Sequence, residues 1–433
     1  MRSKQYRRIT HDHFPDRFTI TLGETTLIYQ KQLYKIKHEA EEGGALGGLR
    51  YGENPGQEAA LYRLVNGHLS LAGVKYVGPK DALVSALGED DPAVNMMFGC
   101  GKHPSKTNMT DVDAGLGILR YLGDQPAAVI IKHNNPSGAA KARNLQKAFE
   151  AAWKADQVAA FGGAVVVNRP VDKASARLMA ARYLEVIAAP DFEEGALDIL
   201  LRRPDLRIFK IKRIDRLKDY AARRYLDIKS LMDGGLILQQ SARNVITGPG
   251  DFRPAVAEHN GRTFRALRPP TARELADLLF GWAVEQGVTS NSVLFVKNGA
   301  TVAIGAGGQD RVGIVEMTVF KAYRNFLENL CRGALGRPFK DLELDAASDP
   351  GARRRVEEFQ AASREAQGGL RGAVMVSDAF FPFRDGVDAA LGHGVRAIAH
   401  PGGSLNDHEG ITAVNQARPR AAMVFTGQRA FRH

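Results

Sequence analysis

Short runs of apolar, β-branched residues recur along the chain, and most are followed by a polar turn and a segment of helical periodicity. Examples are residues 127–131, 164–167, 293–297 and 397–400. Runs of this length fit buried strands, and helices between such strands cover the faces of a sheet. The alternation therefore predicts the α/β class. Because both halves of the chain show it, an ancient duplication fits the pattern.

The first of these runs ends at Lys132 and His133, which place an ammonium beside an imidazole. In open α/β sheets, ligands bind beyond the carboxyl ends of the strands. Lysine brings fixed positive charge and histidine a proton acceptor that titrates near neutral pH, so the pair suits acyl transfer. Two solvated polar residues at a strand end explain the pattern equally well. A turn is predicted next over residues 135–138, followed by a helix near residues 144–154.

The formal charge of +11 allows two kinds of partner. One is nucleic acid, whose phosphates contact basic patches, and the other is a small anionic ligand steered into a basic cleft. The densest basic stretch, residues 202–229, is interleaved with aspartates and has no nucleic-acid-binding motif, so a solvated linker surface is predicted there.

The composition also indicates the compartment. No apolar run approaches the roughly 20 residues that span a bilayer, and no secretory signal follows the basic N-terminus. The two cysteines, Cys100 and Cys331, give neither a disulfide framework nor a zinc-site spacing. A reduced, cytoplasmic setting is therefore expected.

Other segments carry residues of chemical interest. Arg50 and Tyr51 lie in a loop rich in Gly and Pro, where a guanidinium fork suits phosphate, although a surface turn is the simpler explanation. Residues 97–113 are predicted as a loop whose Lys102-His103 pair has no apolar strand before it. Gly162 begins a glycine pair that either lets the backbone approach a ligand or forms a plain tight turn.

The domain organisation is predicted from changes in composition. A first domain is expected over residues 1–215, a connecting region over 216–270 and a second domain over 271–433. Within the second domain, residues 331–370 are charged and rich in Ala and Gly, which predicts a surface insertion.

Nine short motifs occur in one order between about residues 14 and 433. They are Arg50-Tyr-Gly-Glu-Asn-Pro, Lys132-His-Asn-Asn-Pro-Ser-Gly, Ala160-Phe-Gly-Gly, Glu185-Val-Ile-Ala-Ala-Pro, Ser290-Asn-Ser, Gly305-Ala-Gly, Ser377-Asp-Ala-Phe-Phe-Pro-Phe-Arg-Asp, Pro401-Gly-Gly-Ser and Arg429-Ala-Phe-Arg-His. Together they resemble the formyltransferase domain of the bifunctional purine-biosynthesis enzyme that formylates AICAR (5-aminoimidazole-4-carboxamide ribotide). The resemblance implies two cytidine-deaminase-like α/β domains per chain and a homodimer whose active sites draw on both subunits.

The same resemblance implies roles for individual residues. Lys132 would stabilise the oxyanion, His133 would accept the proton of the attacking amine, and Asn291 would hold the substrate and the transferring group. Arg50 and Arg429 are expected to contact the phosphate of AICAR. The full set of residues expected to contact AICAR is Arg50, Tyr51, Phe161, Gly162, Glu185, Phe380, Arg429 and Phe431. The residues expected on the folate side are Arg311, Asp385 and Ser404.

The implied reaction transfers the formyl group of 10-formyltetrahydrofolate to AICAR, giving FAICAR in de novo purine synthesis. A potassium ion held largely by backbone carbonyls is implied as well, while zinc, nucleic acid and a membrane are not expected. Only 49 residues precede Arg50, where the bifunctional enzyme carries its IMP cyclohydrolase domain, so that activity is expected from a separate protein. Gly56 stands where the family usually has His, and its effect stays open.

Two rival functions remain at this stage. One is formylation of AICAR with formate and ATP, which the lack of a Walker-type phosphate-binding motif weakens. The other is a basic nucleic-acid-binding or regulatory relative that has lost the chemistry. An assay with AICAR and each formyl donor separates these alternatives.

Overall fold

The structure, a computed structural model, describes residues 13–35, 46–54, 57–71, 74–86, 96–99 and 103–433. Its strands are β1 (Arg17–Leu22), β2 (Thr25–Lys31), β3 (Tyr34–Lys35), β4 (Leu46–Gly47), β5 (Tyr62–Asn66), β6 (Ser70–Leu71), β7 (Val74–Lys75), β8 (Met96–Gly99), β9 (Ala127–Lys132), β10 (Asn135–Lys141), β11 (Gly163–Val167), β12 (Leu184–Ala189), β13 (Arg207–Lys210), β14 (Leu226–Ser230), β15 (Leu236–Gln240), β16 (Arg253–Pro254), β17 (Val256–His259), β18 (Arg262–Arg265), β19 (Val293–Lys297), β20 (Ala300–Gly305), β21 (Val374–Ser377), β22 (Ala397–His400) and β23 (Ala422–Phe425). Its helices are α1 (Lys106–Leu119), α2 (Leu145–Ala155), α3 (Lys173–Ala180), α4 (Ala196–Leu200), α5 (Leu217–Tyr220), α6 (Ala272–Glu285), α7 (Arg311–Leu335), α8 (Phe339–Asp345), α9 (Pro350–Glu365), α10 (Asp385–Gly392) and α11 (Asp407–Gln416).

Contacts divide the described residues into two compact units, each discontinuous in sequence. The first unit is drawn from the ranges Met1–Asn134 and Phe161–Arg243, and the second from Asn135–Ala160 and Asn244–His433. The predicted α/β class is confirmed, since both units combine helices with a mixed sheet. The deaminase-like domains and the boundaries at residues 215 and 270 stay predictions.

The first unit is organised around a sheet with the strand order β9–β11–β12–β13–β8. β11, β12 and β13 run parallel, whereas β9 pairs antiparallel with β11, so that Ala164 lies opposite Ile131. α1 packs closely on these strands at Gly115, where an added Cβ would lie 2.4 Å from Val166. Because of the antiparallel pair, the carboxyl end of β9 lies beside the amino ends of β11 and β12. Lys132 and His133 lie at the carboxyl end of β9, as expected, but the strand beside them runs in the opposite direction.

The second unit contains the strand order β16–β23–β22–β21–β19–β20–β10. Alternate side chains of β19 point to opposite faces of a sheet, and helices bury both faces. Val293 and Phe295 pack with residues of α7, α10 and α11, whereas Leu294 and Val296 lie against Gly281 of α6. This double burial explains why β19 appears in the sequence as an uninterrupted apolar run.

Three local predictions are wrong. The turn expected over residues 135–138 lies instead at His133 and Asn134, and Asn135 begins β10. The loop expected over residues 97–113 contains β8 and the first half of α1. The basic stretch 202–229 includes β13, a buried strand, because its apolar residues are frequent enough to sustain one between the charges. Gly56 and Lys102 lie outside the described residues.

The segment expected as an insertion, residues 331–370, is mostly helical. It contains the end of α7, together with α8 and α9, and these helices enclose a small apolar cluster of their own. Cys331, Phe339 and Phe359 belong to that cluster. None of the helices in the described ranges is long and apolar enough to cross a bilayer.

Candidate active site

A pocket of about 440 Å³ lies in the first unit at the carboxyl end of β9. Its volume is ordinary for a small-molecule site, which typically measures about 300–1,000 Å³. Polar side chains from four places in the sequence converge on it. The lining residues are Tyr51, Glu53, Ser105, Lys106, Thr107, Asn108, Asp111, Lys132, His133, Asn134, Gly162 and Glu185. The antiparallel β9–β11 pair explains this convergence, since it brings Lys132 beside the residues that precede β11 and begin β12.

The ammonium of Lys132 is held by the backbone that leads into β11. Its Nζ donates to the carbonyl oxygen of Gly162 at 2.9 Å. Gly162 has a φ of +69°, and an added Cβ would lie 3.2 Å from that Nζ. A glycine is therefore required here both for its backbone conformation and for the room it leaves the lysine. The neighbouring Phe161 is exposed and stacks on Tyr183 with ring centroids 4.7 Å apart.

His133 lies in a turn whose backbone conformation is uncommon for residues other than glycine. His133 and Asn134 both have left-handed conformations, with φ of 54° and 61°. The Asn134 N–H donates to Asp111 Oδ1 at 2.8 Å, which ties the turn to α1. Burial raises the pKa of Asp111, although the hydrogen bond from Asn134 and the nearby positive groups His133 and Lys132 act in the opposite direction.

Glu185 lies between an amide and a guanidinium. Asn108 Nδ2 donates to its Oε2 at 3.3 Å, and Arg207 Nη1 lies 3.8 Å from the same oxygen. Burial lowers the pKa of Arg207, and the neighbouring Arg50 lowers it further, while Glu185 opposes both. Arg50 is itself buried, with its guanidinium 4.9 Å from the centroid of the Tyr51 ring. Two lysines and three carboxylates line the pocket, so the buried Arg50 and Arg207 add the positive charge that an anionic ligand needs.

In the second unit, Asn291 is held by Arg311. Arg311 Nη2 donates to Asn291 Oδ1 at 2.9 Å, and Nη1 donates to Asp378 Oδ1 at 2.5 Å. Asp378 is fully buried and Arg311 is nearly so. Because Asp378 also accepts from the Ser292 N–H at 3.2 Å, the ion pair fixes both the backbone and the side chain around Asn291.

Glu285 lies beneath this network. Its Oε1 accepts from Ser292 Oγ at 3.0 Å, while its buried Oε2 has no hydrogen-bond partner. Burial raises the pKa of Glu285 well above its usual range, and the nearby Asp378 raises it further. Asp378 is the carboxylate that forms the ion pair with Arg311.

The remaining expected residues of the second unit fall into different places. Arg429 lies over Phe380 and Phe431, at 5.2 and 5.6 Å from the ring centroids. Asp385 is exposed at the start of α10, where its Oδ1 accepts from the Gly386 N–H at 2.7 Å. Ser404 lines another pocket, of about 800 Å³, formed with the β17 segment.

The structure thus brings together part of the expected site in each unit. Tyr51, Lys132, His133, Gly162 and Glu185 share one pocket, and Arg50 lies close to Tyr51. Asn291 and Arg311 form a second group, while Arg429, Phe380 and Phe431 form a third. Within the described ranges, no group of three or more His, Cys, Asp or Glu side chains could hold a metal ion.

Several residues that line or adjoin the first-unit pocket are not predicted from the sequence, among them Asn108, Asp111 and Arg207. Asn108 and Asp111 belong to the segment that the sequence predicts as a loop, whereas the structure places both on α1. The signal was available, since Ser105 caps α1 and forms a reciprocal pair with Asn108, a pattern that marks a helix start. Arg207 lies in the basic stretch 202–229, and nothing in the sequence around it distinguishes it from solvated arginines.

Comparison with known proteins gives a consistent result. The family model described as AICARFT/IMPCHase bienzyme matches residues 24–321. The chain is 36% identical over 386 residues to the bifunctional purine biosynthesis protein PurH of Persephonella marina. It is 33% identical over 385 residues to PurH of Caldicellulosiruptor saccharolyticus. Each match covers 89% of this chain, which spans 59% of the length of the relative.

Proposed function

Because the chain belongs to the AICARFT/IMPCHase bienzyme family, we propose that it is an AICAR formyltransferase. The reaction is the transfer of the formyl group of 10-formyltetrahydrofolate to the 5-amino group of AICAR, giving FAICAR in purine synthesis. The observation that carries the proposal is the first-unit pocket, in which Lys132, His133 and Glu185 meet and the Arg207 guanidinium lies 3.8 Å from the Glu185 carboxylate. A cytoplasmic location follows from the proposed pathway.

The chemistry requires a proton acceptor and a group that stabilises negative charge. The amine of AICAR attacks the formyl carbon, and the carbonyl oxygen becomes an oxyanion as the new C–N bond forms. His133 takes the proton that the nitrogen must lose and can return it to N10 of the folate as the bond between the formyl carbon and N10 breaks. Lys132 lies beside His133, and a well-placed donor to an oxyanion contributes about 3–4 kcal/mol.

The polar groups around the pair suit the rest of AICAR. Glu185 is oriented by Asn108 and can accept from an amine or a carboxamide N–H, and the Gly162 backbone closes that end of the pocket. The buried Arg50 and Arg207 supply positive charge for a phosphate, which guanidinium forks bind in pairs of hydrogen bonds. Tyr51 and Phe161 add apolar surface for the ring and the sugar.

The second unit supplies the residues assigned to the remaining contacts. We assign Asn291 to the transferring group, with Arg311 holding its side chain. Arg429, backed by Phe380 and Phe431, has an exposed guanidinium that suits a phosphate. Asp385 and Ser404 are assigned to the folate, since both have polar atoms at accessible positions.

A homodimer is part of the proposal. The β14–β15 ribbon supports it, because its successive apolar residues Leu236, Ile237 and Leu238 are all roughly half exposed. An isolated two-stranded ribbon is marginally stable in water, so a covering partner is expected. Sedimentation velocity at micromolar concentration tests this, and a monomer throughout would contradict it.

A potassium ion is the final component. Ser290, Ser292 and Asp378 are buried and offer oxygen atoms, and the partnerless Oε2 of Glu285 lies beside them. Oxygen donors suit hard cations, so the residues fit the ion. It would supply positive charge that steadies the loop of Asn291, and no step of the transfer is assigned to it. A higher melting temperature in potassium than in tetramethylammonium salts is the expected result.

The decisive experiment for the function supplies AICAR with either 10-formyltetrahydrofolate or formate and ATP. FAICAR formation with the folate alone is expected. FAICAR formed only with formate and ATP would replace the proposed donor. No product with either donor, together with salt-sensitive RNA binding, would overturn the enzymatic proposal.

A further inference from the structure

We propose that Asp111 is a positioning residue that holds the imidazole of His133 toward the pocket. The inference rests on the proposed function, in which His133 is the proton acceptor. It deepens that function by assigning a role to a residue of α1 that neither the sequence motifs nor the resemblance singles out.

The backbone of the turn gives the first reason. A left-handed backbone conformation costs most residues other than glycine about 1–2 kcal/mol, and less for asparagine; His133 and Asn134 adopt two of them in succession. Such a turn persists only where its surroundings hold it. The hydrogen bond from the Asn134 N–H to Asp111 Oδ1, at 2.8 Å, joins it to a helix.

The helix supplies the rigidity that the turn lacks. α1 begins at a capped N-terminus with Ser105 and Asn108, and it packs through Val112 and Gly115 against the sheet. Asp111 lies six residues after the Ser105 cap and is buried, so its side chain has little freedom. The turn is therefore tied to a fixed point rather than to another loop.

The role does not require the charge of the carboxylate. Burial has the largest effect on the pKa of Asp111 and acts to raise it, as does Glu185, whereas His133 and Lys132 act to lower it. The hydrogen bond from the Asn134 N–H, rather than the charge of the carboxylate, is what holds the turn, so an uncharged oxygen at this position should serve as well. Asp111 thus acts through His133 and need not touch the substrate.

The test compares Asp111→Ala and Asp111→Asn with Asp113→Ala, which changes an exposed carboxylate on the same helix. Alanine removes the acceptor of the Asn134 N–H, and asparagine keeps an oxygen there. Misplacement of a reacting group by about 1 Å can reduce turnover by about 10²-fold. For Asp111→Ala we therefore expect kcat to fall between about tenfold and a hundredfold, with the KM for AICAR within about threefold. Asp111→Asn should recover most of that loss, and Asp113→Ala should match the unchanged protein.

Amide hydrogen exchange at Asn134 provides a reading that does not depend on activity. Faster exchange is expected in Asp111→Ala and near-unchanged exchange in Asp111→Asn. Wild-type kcat with unchanged exchange in Asp111→Ala would overturn the inference, as would equal losses in the two variants. If the unchanged protein formylates nothing, the proposed function fails, and the exchange comparison still decides whether Asp111 holds the turn. If Asp111→Ala does not fold, Asp111→Asn alone decides the matter. Loss of protection of the Asn134 amide from hydrogen exchange in that variant would also overturn the inference.

Discussion

Substitution of Gly162 by alanine tests how the backbone positions Lys132, the residue proposed to stabilise the oxyanion. The added Cβ would lie 3.2 Å from Lys132 Nζ and 3.3 Å from Tyr183 Cε1, closer than the roughly 3.5–4.0 Å of an ordinary contact. The left-handed backbone, with a φ of +69°, adds a strain of about 1–2 kcal/mol for any residue with a Cβ. The ammonium must therefore shift by a few tenths of an ångström or leave the carbonyl oxygen that holds it.

The control is Gly23→Ala in the same unit. Gly23 has a φ of +59°, and its added Cβ would meet no atom within 4 Å, so it reports the backbone strain alone. Loss of one oxyanion donor reduces kcat by about 10²–10³-fold, which is the upper limit for a displaced Lys132. We expect kcat to fall at least about tenfold in Gly162→Ala and to stay unchanged in Gly23→Ala, with similar losses of stability in urea denaturation. If Gly162→Ala and Gly23→Ala have equal kcat values and equal stabilities, the claim that Gly162 sets the position of Lys132 is refuted.

Two further predictions concern charges. Asp378→Asn breaks the buried ion pair with Arg311, and we expect a loss of about 3–5 kcal/mol in the free energy of unfolding. Asp388→Asn, in the exposed pair with Arg384, should lose under about 1 kcal/mol; equal losses in urea denaturation would contradict the burial argument. Burial acts to raise the pKa of Glu274, but hydrogen bonds from Arg268 and Thr271 outweigh it, so the pKa is lowered overall. A carboxylate with a lowered pKa stabilises the fold above its unfolded value of about 4.3 and stops doing so as the pH falls through the folded value. The stability difference between the unchanged protein and Glu274→Gln should therefore be constant near neutral pH and vanish in acid, and a difference that grows in acid would be inconsistent with this.

Much of the fold could be predicted because local pattern and tertiary burial agree. Residues 397–400, an apolar run that predicts a strand, form β22 with those bounds, and residues 272–285 form α6. α6 begins with a Thr271 cap reciprocated by Glu274, and β22 is an apolar run buried on both faces. In both cases the amino-acid sequence contains the same information that the packing uses.

The failures have a common cause, which is that tertiary contacts override the local signal. Residues 135–138 contain Asn, Pro, Ser and Gly, all typical of turns, yet they begin β10. Gly138 is required there because an added Cβ would lie 2.0 Å from the Ala152 carbonyl oxygen of α2. The true turn at His133 and Asn134 carries no glycine and depends on Asp111, a residue more than twenty positions away. No pattern within a short window could show that dependence.

The candidate site was predictable to a similar extent. Lys132, His133, Gly162 and Glu185 were expected together, and they line one pocket. Their roles stay predictions. Asn108 and Asp111 line the same pocket because α1 packs across the sheet, a fact of topology rather than of local sequence.

The central claim is that His133 is the proton acceptor in a pocket that binds AICAR through other groups. His133→Ala tests it most directly, with the Kd of AICAR measured by calorimetry and turnover measured with 10-formyltetrahydrofolate. General-base catalysis contributes about 10²–10⁴-fold, so turnover should fall by that factor while the Kd changes by less than about threefold. Turnover equal to that of the unchanged protein would contradict the account.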